Sequence, residues 1–139
     1  MKKQLFIISA VLIGSFALLS MTTLTSLTQD PWEVPAKYEK MENPYASNAD
    51  AESIGRTLYS KHCKSCHGSD GYGDGPKAAE MKGDLGDFSS EDFQNQSDGA
   101  MFYKSYFGRD DMPNFEKKIP DPEDMWLIVN HLKSLENQE

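Results

Sequence analysis

The segment Cys63-Lys64-Ser65-Cys66-His67 determines how the rest of the chain is interpreted. Its cysteines stand one helical turn apart, a histidine follows directly, and no other cysteine occurs among the 139 residues. The C-x-x-C-H pattern is typical of haem attachment, because the two sulfurs form thioether bonds to a porphyrin while the histidine is aimed at its iron. The pentapeptide therefore predicts one covalent haem c, bound through Cys63 and Cys66, with His67 as a metal ligand.

Other uses of a close cysteine pair agree less well with this sequence. A disulfide across so short a loop is strained and removes little chain entropy. A thioredoxin-like redox pair belongs to a βαβ context, and the chain shows no alternating strand pattern. A zinc site needs four ligands, and no second cysteine–histidine cluster exists. We therefore favour haem attachment.

The first 29 residues have the features of an export segment. Two lysines precede an uncharged run at 4–29, whose apolar centre is LFIISAVLIGSFALLS at 5–20. This pattern is typical of a secretory signal, and the run is also long enough to span a bilayer. The sequence leaves open whether residues 1–29 are a removed signal peptide or a retained inner-membrane anchor, with 5–28 as the tether. In both cases we expect the remainder to function in a bacterial periplasm.

The charge balance limits the kinds of partner. The chain carries 14 Lys and Arg against 22 Asp and Glu, a formal net charge of −8. So acidic a protein is a poor binder of nucleic acid and of anionic membrane surfaces. The net negative charge lies mostly in the flanks, since 30–55 and 119–139 each carry a net charge of −4 and 56–118 carries −2. We therefore expect transient, salt-sensitive docking of redox protein partners, with a membrane respiratory complex as one candidate, through lysines near the motif: Lys61, Lys64, Lys77, Lys82 and Lys104.

The chain after the export segment divides into a linker and one helical domain. Residues 30–49 contain three prolines and no sustained period, which predicts an extended linker whose aromatic residues pack along the domain. Residues 50–139 are predicted to form a monohaem domain. Its glycine-rich stretch at 68–88 is expected to be mostly loop.

Three helices are expected in this domain, which makes the predicted class all-α. Asp50 begins the first, which runs to about His62. Ser97 begins the second, which ends before Gly108, and Asp121 with Pro122 begins the third. The buried stripe expected on the first helix is Ala51, Ile54, Leu58 and His62. The buried face expected on the third is Met125, Ile128, Val129, Leu132 and Leu135.

A methionine is the expected second axial ligand. Met112 precedes Pro113, which disfavours helical conformation, so its thioether lies in a loop from which it can reach an iron. Met81, fourteen residues after His67, is the alternative. Met101 and Met125 fall inside predicted helices and are expected in the core. His/Met ligation raises the reduction potential of the iron, which suits electron transfer.

Residues 48–135 resemble a class I c-type cytochrome of the small bacterial monohaem kind. Gly55 and Tyr59 resemble the small-then-aromatic pair at which the first helix crosses the last. The facing positions are Trp126 and Ile128, and the sequence Met112-Pro113-Asn114-Phe115 resembles the distal loop.

Two further positions are interpreted through this resemblance. Pro76 resembles the proline whose carbonyl accepts the Nδ1–H of the proximal histidine, so Pro76 is added to the expected cofactor-binding residues. His131 stands where the family usually has an aromatic residue, and we expect it to pack at the helix crossing.

The resemblance implies a cytochrome c fold, with three to four helices packed around one covalently attached haem. It also implies an electron carrier rather than an enzyme. The alternative is a haem enzyme or ligand sensor in which Met112 is labile. Because about 110 residues with a glycine-rich middle bury little apolar surface, we expect the haem-free chain to be largely unfolded.

Overall fold

The regular structure of the described chain is helical. The computed structural model describes residues 31–137, and the predicted export segment lies outside them. The helices are α1 (Ala36–Glu39), α2 (Ala51–His62), α3 (Lys64–His67), α4 (Glu91–Gln94), α5 (Asp98–Phe107) and α6 (Pro122–Lys133). Two short 3₁₀ turns complete the regular structure: Ala78–Glu80 lies between α3 and α4, and Ser134–Asn137 directly follows α6. In this part of the chain no helix is long and apolar enough to cross a membrane. The all-α class is confirmed.

The three long helices begin where their capping residues predict. Asp50 precedes α2, although its side chain makes no capping hydrogen bond. The Ser97 hydroxyl accepts from the Ala100 amide at 3.1 Å, which caps α5. A carboxylate oxygen of Asp121 accepts from the Glu123 amide at 3.0 Å and caps α6. For α5 and α6, these local bonds explain why the capping residues predicted the start of the helix.

The core lies where α6 packs between α2 and α5. The predicted burial is confirmed, since each of the five residues is at most 3% exposed; four of them lie on α6, and Leu135 lies in the 3₁₀ turn that follows it. Met101 on α5 and Met125 on α6 are 2% and 1% exposed. Both methionines therefore belong to the core, as expected.

The buried stripe of α2 differs from the predicted one. Ala51, Gly55 and Tyr59 are buried, whereas Ile54 is 41% exposed. The reason is a close helix crossing: a Cβ on Gly55 would collide with the carbonyl oxygen of Leu127. The backbone of α6 lies directly on this glycine, so the contact face of α2 is centred on Gly55 and includes Ala51 and Tyr59, four residues to either side, while Ile54 points away.

The segment before α2 packs against the domain. Its aromatic residues pack along the domain as expected: the Tyr38 ring centroid lies 4.8 Å from that of Tyr103 on α5. The prediction of extended chain is wrong for Ala36–Glu39, which forms a helical turn that starts with a bond from the Tyr38 amide to the Pro35 carbonyl (2.8 Å). Proline fits the start of a helix because its own amide is not needed there. The domain boundary at residue 50 stays a prediction.

Candidate functional site

The cysteine motif forms a single helical turn at the end of α2. The Cys63 amide donates to the Tyr59 carbonyl at 2.8 Å, and the Cys63 carbonyl accepts from the His67 amide at 3.1 Å. Cys63 and Cys66 are therefore on the same turn, and both thiols are free. Burial raises the pKa of the Cys63 thiol to about 12, so this thiol is protonated at neutral pH.

A loop bonds to the carbonyls at the end of this turn. The amides of alternate loop residues donate to successive carbonyls: Gly73 to His67 (3.0 Å), Gly75 to Cys66 (3.1 Å) and Lys77 to Ser65 (2.8 Å). A Cβ on Gly75 would lie 2.6 Å from the carbonyl oxygens of Lys64 and Ser65, so only glycine allows this approach. The Tyr59 hydroxyl donates to the Gly68 carbonyl at 2.9 Å. The attachment turn is thus held by backbone bonds along its whole length.

The predicted proximal ligand is a buried imidazole. His67 is 9% exposed, and its ring stacks on Phe88 with centroids 4.6 Å apart. Burial lowers the pKa of His67 below its ordinary value, and the Leu85 backbone partly opposes this shift. The ring is therefore neutral at pH 7, which is the form that binds a metal.

Two residues that hold this imidazole were missed by sequence reasoning. Phe88 stacks between His67 and Phe93. The Gln94 amide nitrogen donates to the carbonyls of Phe88 (2.7 Å) and Leu132 (2.8 Å), which bonds the stack to α6. Both residues lie outside any periodic pattern, so the sequence contains no signal for their role beyond the apolar character of Phe88.

The structure does not contain the hydrogen bond predicted between His67 and the Pro76 carbonyl. Nδ1 of His67 is buried and has no hydrogen-bond partner among the described residues. Pro76 is exposed, and the amides on either side of it are bonded to carbonyls of the attachment turn. These bonds keep the loop at the end of α3. Binding of the cofactor by Pro76 stays a prediction.

Met112, the predicted distal ligand, ends a tight turn after α5. Its amide donates to the Arg109 carbonyl at 2.9 Å, and Asp110 has a φ of 53°. Directly before the turn lies Gly108, whose φ of 65° and ψ of 174° are available only to glycine. A Cβ there would also collide with the carbonyl oxygens of Met112 and Pro113. The backbone around Met112 is therefore restricted to one local conformation.

The structure brings the loops of both candidate methionines together. The Lys82 amide, next to Met81, donates to an Asp111 carboxylate oxygen at 2.8 Å. The partly buried side chains that pack against the core include those of Met112 and Cys63 but not that of Met81. Met112 therefore has the better placement for a ligand on the same core as the attachment turn.

His131 packs at the helix crossing, as expected. It is 4% exposed, and its ring meets that of Tyr59 edge to face at 4.9 Å. Its Nδ1 lies 3.3 Å from a carboxylate oxygen of Glu52. Burial lowers the pKa of His131, and the hydrogen bond with Glu52 partly opposes this shift.

The described residues fit a covalently attached haem. Two free thiols share one turn, and the neighbouring imidazole is buried, neutral and has an unpartnered Nδ1. This donor set matches the chemistry of haem c, and the helices around it define an all-α haem-attachment domain.

Comparison with known proteins identifies the family. The family model described as Cytochrome c matches residues 52–136. No curated protein gives a significant match. The matched region is more than half of the chain, which belongs to the cytochrome c family. Such domains bind haem c covalently, generally function in electron transfer and are typically found outside the cytoplasm.

Proposed function

We propose that this protein is an exported electron carrier whose haem c is attached through Cys63 and Cys66 and ligated by His67 and Met112. The observation that carries the proposal is the placement of Met112: a restricted turn packs its side chain against the same core as Cys63. When bound, haem c supplies an iron that exchanges one electron.

The protein's own residues support a carrier rather than an enzyme. Two protein ligands leave no open coordination position for oxygen or peroxide. The stacked rings of Phe88 and Phe93 keep water away from the face of His67 that they cover. The bonds along the attachment turn and the stack on Phe88 hold His67 in one orientation, in which its imidazole would ligate the iron of a bound haem. The alternative, an enzyme or sensor with a labile Met112, predicts rapid binding of external ligands.

The proposed partners are redox proteins that dock transiently, a membrane respiratory complex among them. Four of the five predicted lysines, Lys61, Lys64, Lys77 and Lys82, are exposed. Lys104 is less available, because it is partly buried and donates to Gln96. Electron-transfer rates with the true partner should therefore fall as ionic strength rises. A rate that is independent of salt would exclude electrostatic steering.

The ligation is tested by comparing Met112→Ala with Met81→Ala in the full chain, made in a host that attaches haem. Ferric wild-type protein should show the weak far-red absorption band of methionine-bound iron and should resist cyanide. M112A should lose the band and bind cyanide, while M81A should behave as wild type. Intact mass confirms that haem is retained in both variants.

Other results would contradict the proposal. Loss of the band in M81A alone would identify Met81 as the ligand. A wild-type protein that lacks the band and binds carbon monoxide rapidly would support the enzyme or sensor. Cell fractionation of the same preparations reports export, and the mass shows whether residues 1–29 remain.

A further inference from the structure

A ring in the segment before α2 contacts the turn that ends at Met112. The guanidinium carbon of Arg109 lies 4.7 Å from the centroid of a Trp32 ring. Arg109 is also the first residue of the turn, and its carbonyl accepts the Met112 amide at 2.9 Å. One residue therefore connects Trp32, through its side chain, to Met112, through its backbone.

The segment that carries Trp32, residues 31–45, is here called the N-terminal strap. It packs on α5 through Tyr38, whose ring contacts those of Tyr103 and Phe107, and through Glu39, which accepts from the Ser97 hydroxyl at 3.1 Å. On α5, a Cβ added to Gly99 would collide with the Tyr38 carbonyl. The strap is thus a packed part of the structure, and Trp32 is held near the end of α5.

The strap also bonds to α6. Nδ2 of Asn43 donates to the Trp126 carbonyl at 3.1 Å, and the Tyr45 hydroxyl donates to a Glu123 carboxylate oxygen at 3.1 Å. All of these strap residues lie outside 52–136, the region that the family model matches. The contact with Arg109 is therefore not explained by membership of the family.

The turn is the part of the site on which such a contact has most effect. Residues 109–112 form a short turn closed by the bond from the Met112 amide to the Arg109 carbonyl; Asp110 and Asp111 are exposed, and Arg109, whose side chain is 26% exposed, pairs with the Asp110 carboxylate at 3.3 Å. A short turn with exposed residues opens locally at a lower cost than a core helix. A cation held over an indole face stabilises the closed form, by about a two- to fivefold change in the open population at a partly exposed site.

We propose that Trp32 is a positioning residue for Met112: the N-terminal strap keeps the distal turn closed by stacking on Arg109. This inference rests on the proposed ligation by Met112. It gives the strap a role in keeping Met112 in place, and this role is separate from that of the attachment turn, which holds His67.

The test uses the full, haem-loaded protein and four variants: Trp32→Ala, Trp32→Phe, Arg109→Gln and the control Tyr45→Phe. The control loses a strap contact with α6 and keeps the one with Arg109. We measure the apparent affinity of the ferric protein for cyanide, the far-red band and the stability to urea. W32A and R109Q should each bind cyanide about two- to fivefold more tightly, W32F should restore most of the wild-type behaviour, and Y45F should match wild type.

A double variant shows whether the two residues act together. W32A combined with R109Q should bind cyanide no more tightly than R109Q alone, because R109Q already removes the contact with Trp32. Wild-type cyanide affinity in W32A would overturn the inference. An equal increase in Y45F would overturn it as well, since it would show a general loosening of the strap. If W32A yields no loaded protein, R109Q is compared with Asp110→Asn, which removes the ion pair of Arg109 and keeps its contact with Trp32. Wild-type affinity in R109Q, or an equal increase in D110N, would overturn the inference.

The M112A variant separates this inference from the proposed function. If M112A keeps the far-red band, Met112 is not the ligand and both statements fail. If M112A loses the band while W32A and R109Q behave as wild type, only the role of the strap is wrong.

Discussion

The attachment turn and the distal turn hold the two proposed ligands, His67 and Met112, in different ways. On the attachment side, three successive carbonyls accept from alternate loop amides, and the Tyr59 hydroxyl bonds to the next one. On the distal side, the Met112 amide donates to the Arg109 carbonyl, and Asp111 in the same turn accepts from the Lys82 amide. A helical turn bonded along its length opens only with the surrounding fold, whereas a short turn with exposed residues opens locally at lower cost. Under the proposed ligation, the attachment side would be the more rigid of the two and the distal side the more adjustable.

The residues that support the two proposed ligands also come from different parts of the chain. The imidazole of His67 is held from within the domain, by Phe88 and by the bonds that Gln94 makes to α6. The Met112 turn is contacted from outside the family-matched region, by Trp32. Firmness of the distal ligand is therefore expected to vary with the segment that precedes the domain.

The largest effect is expected when the attachment side is removed. The Cys63→Ala/Cys66→Ala variant should carry no covalent haem and should lose most of its helical circular dichroism, because a small chain without its porphyrin buries too little apolar surface. Intact mass and thermal melting measure this. Ser65→Ala, at the exposed position between the cysteines, is the control and should resemble wild type. A cooperative, native-like melt of the double variant would contradict the prediction.

A smaller effect is expected when the loop is separated from the attachment turn. Gly75→Ala places a methyl group 2.6 Å from two carbonyl oxygens, which should destabilise the loaded protein by about 1–3 kcal/mol. Urea unfolding measures the change, with Lys77→Ala as a control that keeps the backbone bond of the same loop. The far-red band should remain in folded G75A. Its loss at unchanged stability would show that the two sides are not independent.

On the distal side, a glycine substitution is expected to remove the far-red band, which the substitution in the loop leaves in place. Gly108→Ala is strained at its φ of 65° and collides with the carbonyls after the turn, so Met112 should be displaced and the far-red band lost while haem is retained. Gly86→Ala is the matched control, since Gly86 has a φ of 71° and nothing within 4 Å of an added Cβ. G86A should lose about 1 kcal/mol of stability and keep the band. A far-red band in G108A as strong as in wild type would show that the turn can adopt another backbone conformation without displacing Met112.

The smallest effect is expected at His131, which lies on neither turn. Burial holds its pKa below the ordinary value of 6.5, so the unfolded chain binds this proton more readily and stability falls as the pH drops below about 6.5. Glu52 and Arg56 are the charged groups that act on it. In His131→Phe the loss of stability between neutral pH and about pH 5 should be smaller than in wild type, as measured by urea unfolding. An identical loss would assign the acid sensitivity to other groups.

Most of the helical framework was predictable because its causes are local. Ser97 and Asp121 each accept from an amide two or three residues away, so capping patterns located α5 and α6. The buried face of α6 followed from its period. The buried stripe of α2 could not be predicted from its period, because Gly55 is buried by the backbone of α6 rather than by its own apolarity.

The residues of the candidate site also divide into those that local sequence predicts and those that only long-range packing places. The spacing of Cys63, Cys66 and His67 determined the attachment turn, because three residues of helix place the two sulfurs on one turn whatever surrounds them. The amino-acid sequence also limited the distal ligand to a few methionines. Tertiary structure decided that Met112 packs against the same core as Cys63, that Phe88 stacks on His67, and that Trp32 reaches Arg109. These contacts join residues distant in the chain, and only the packing of the helices brings such residues within a few ångströms of one another.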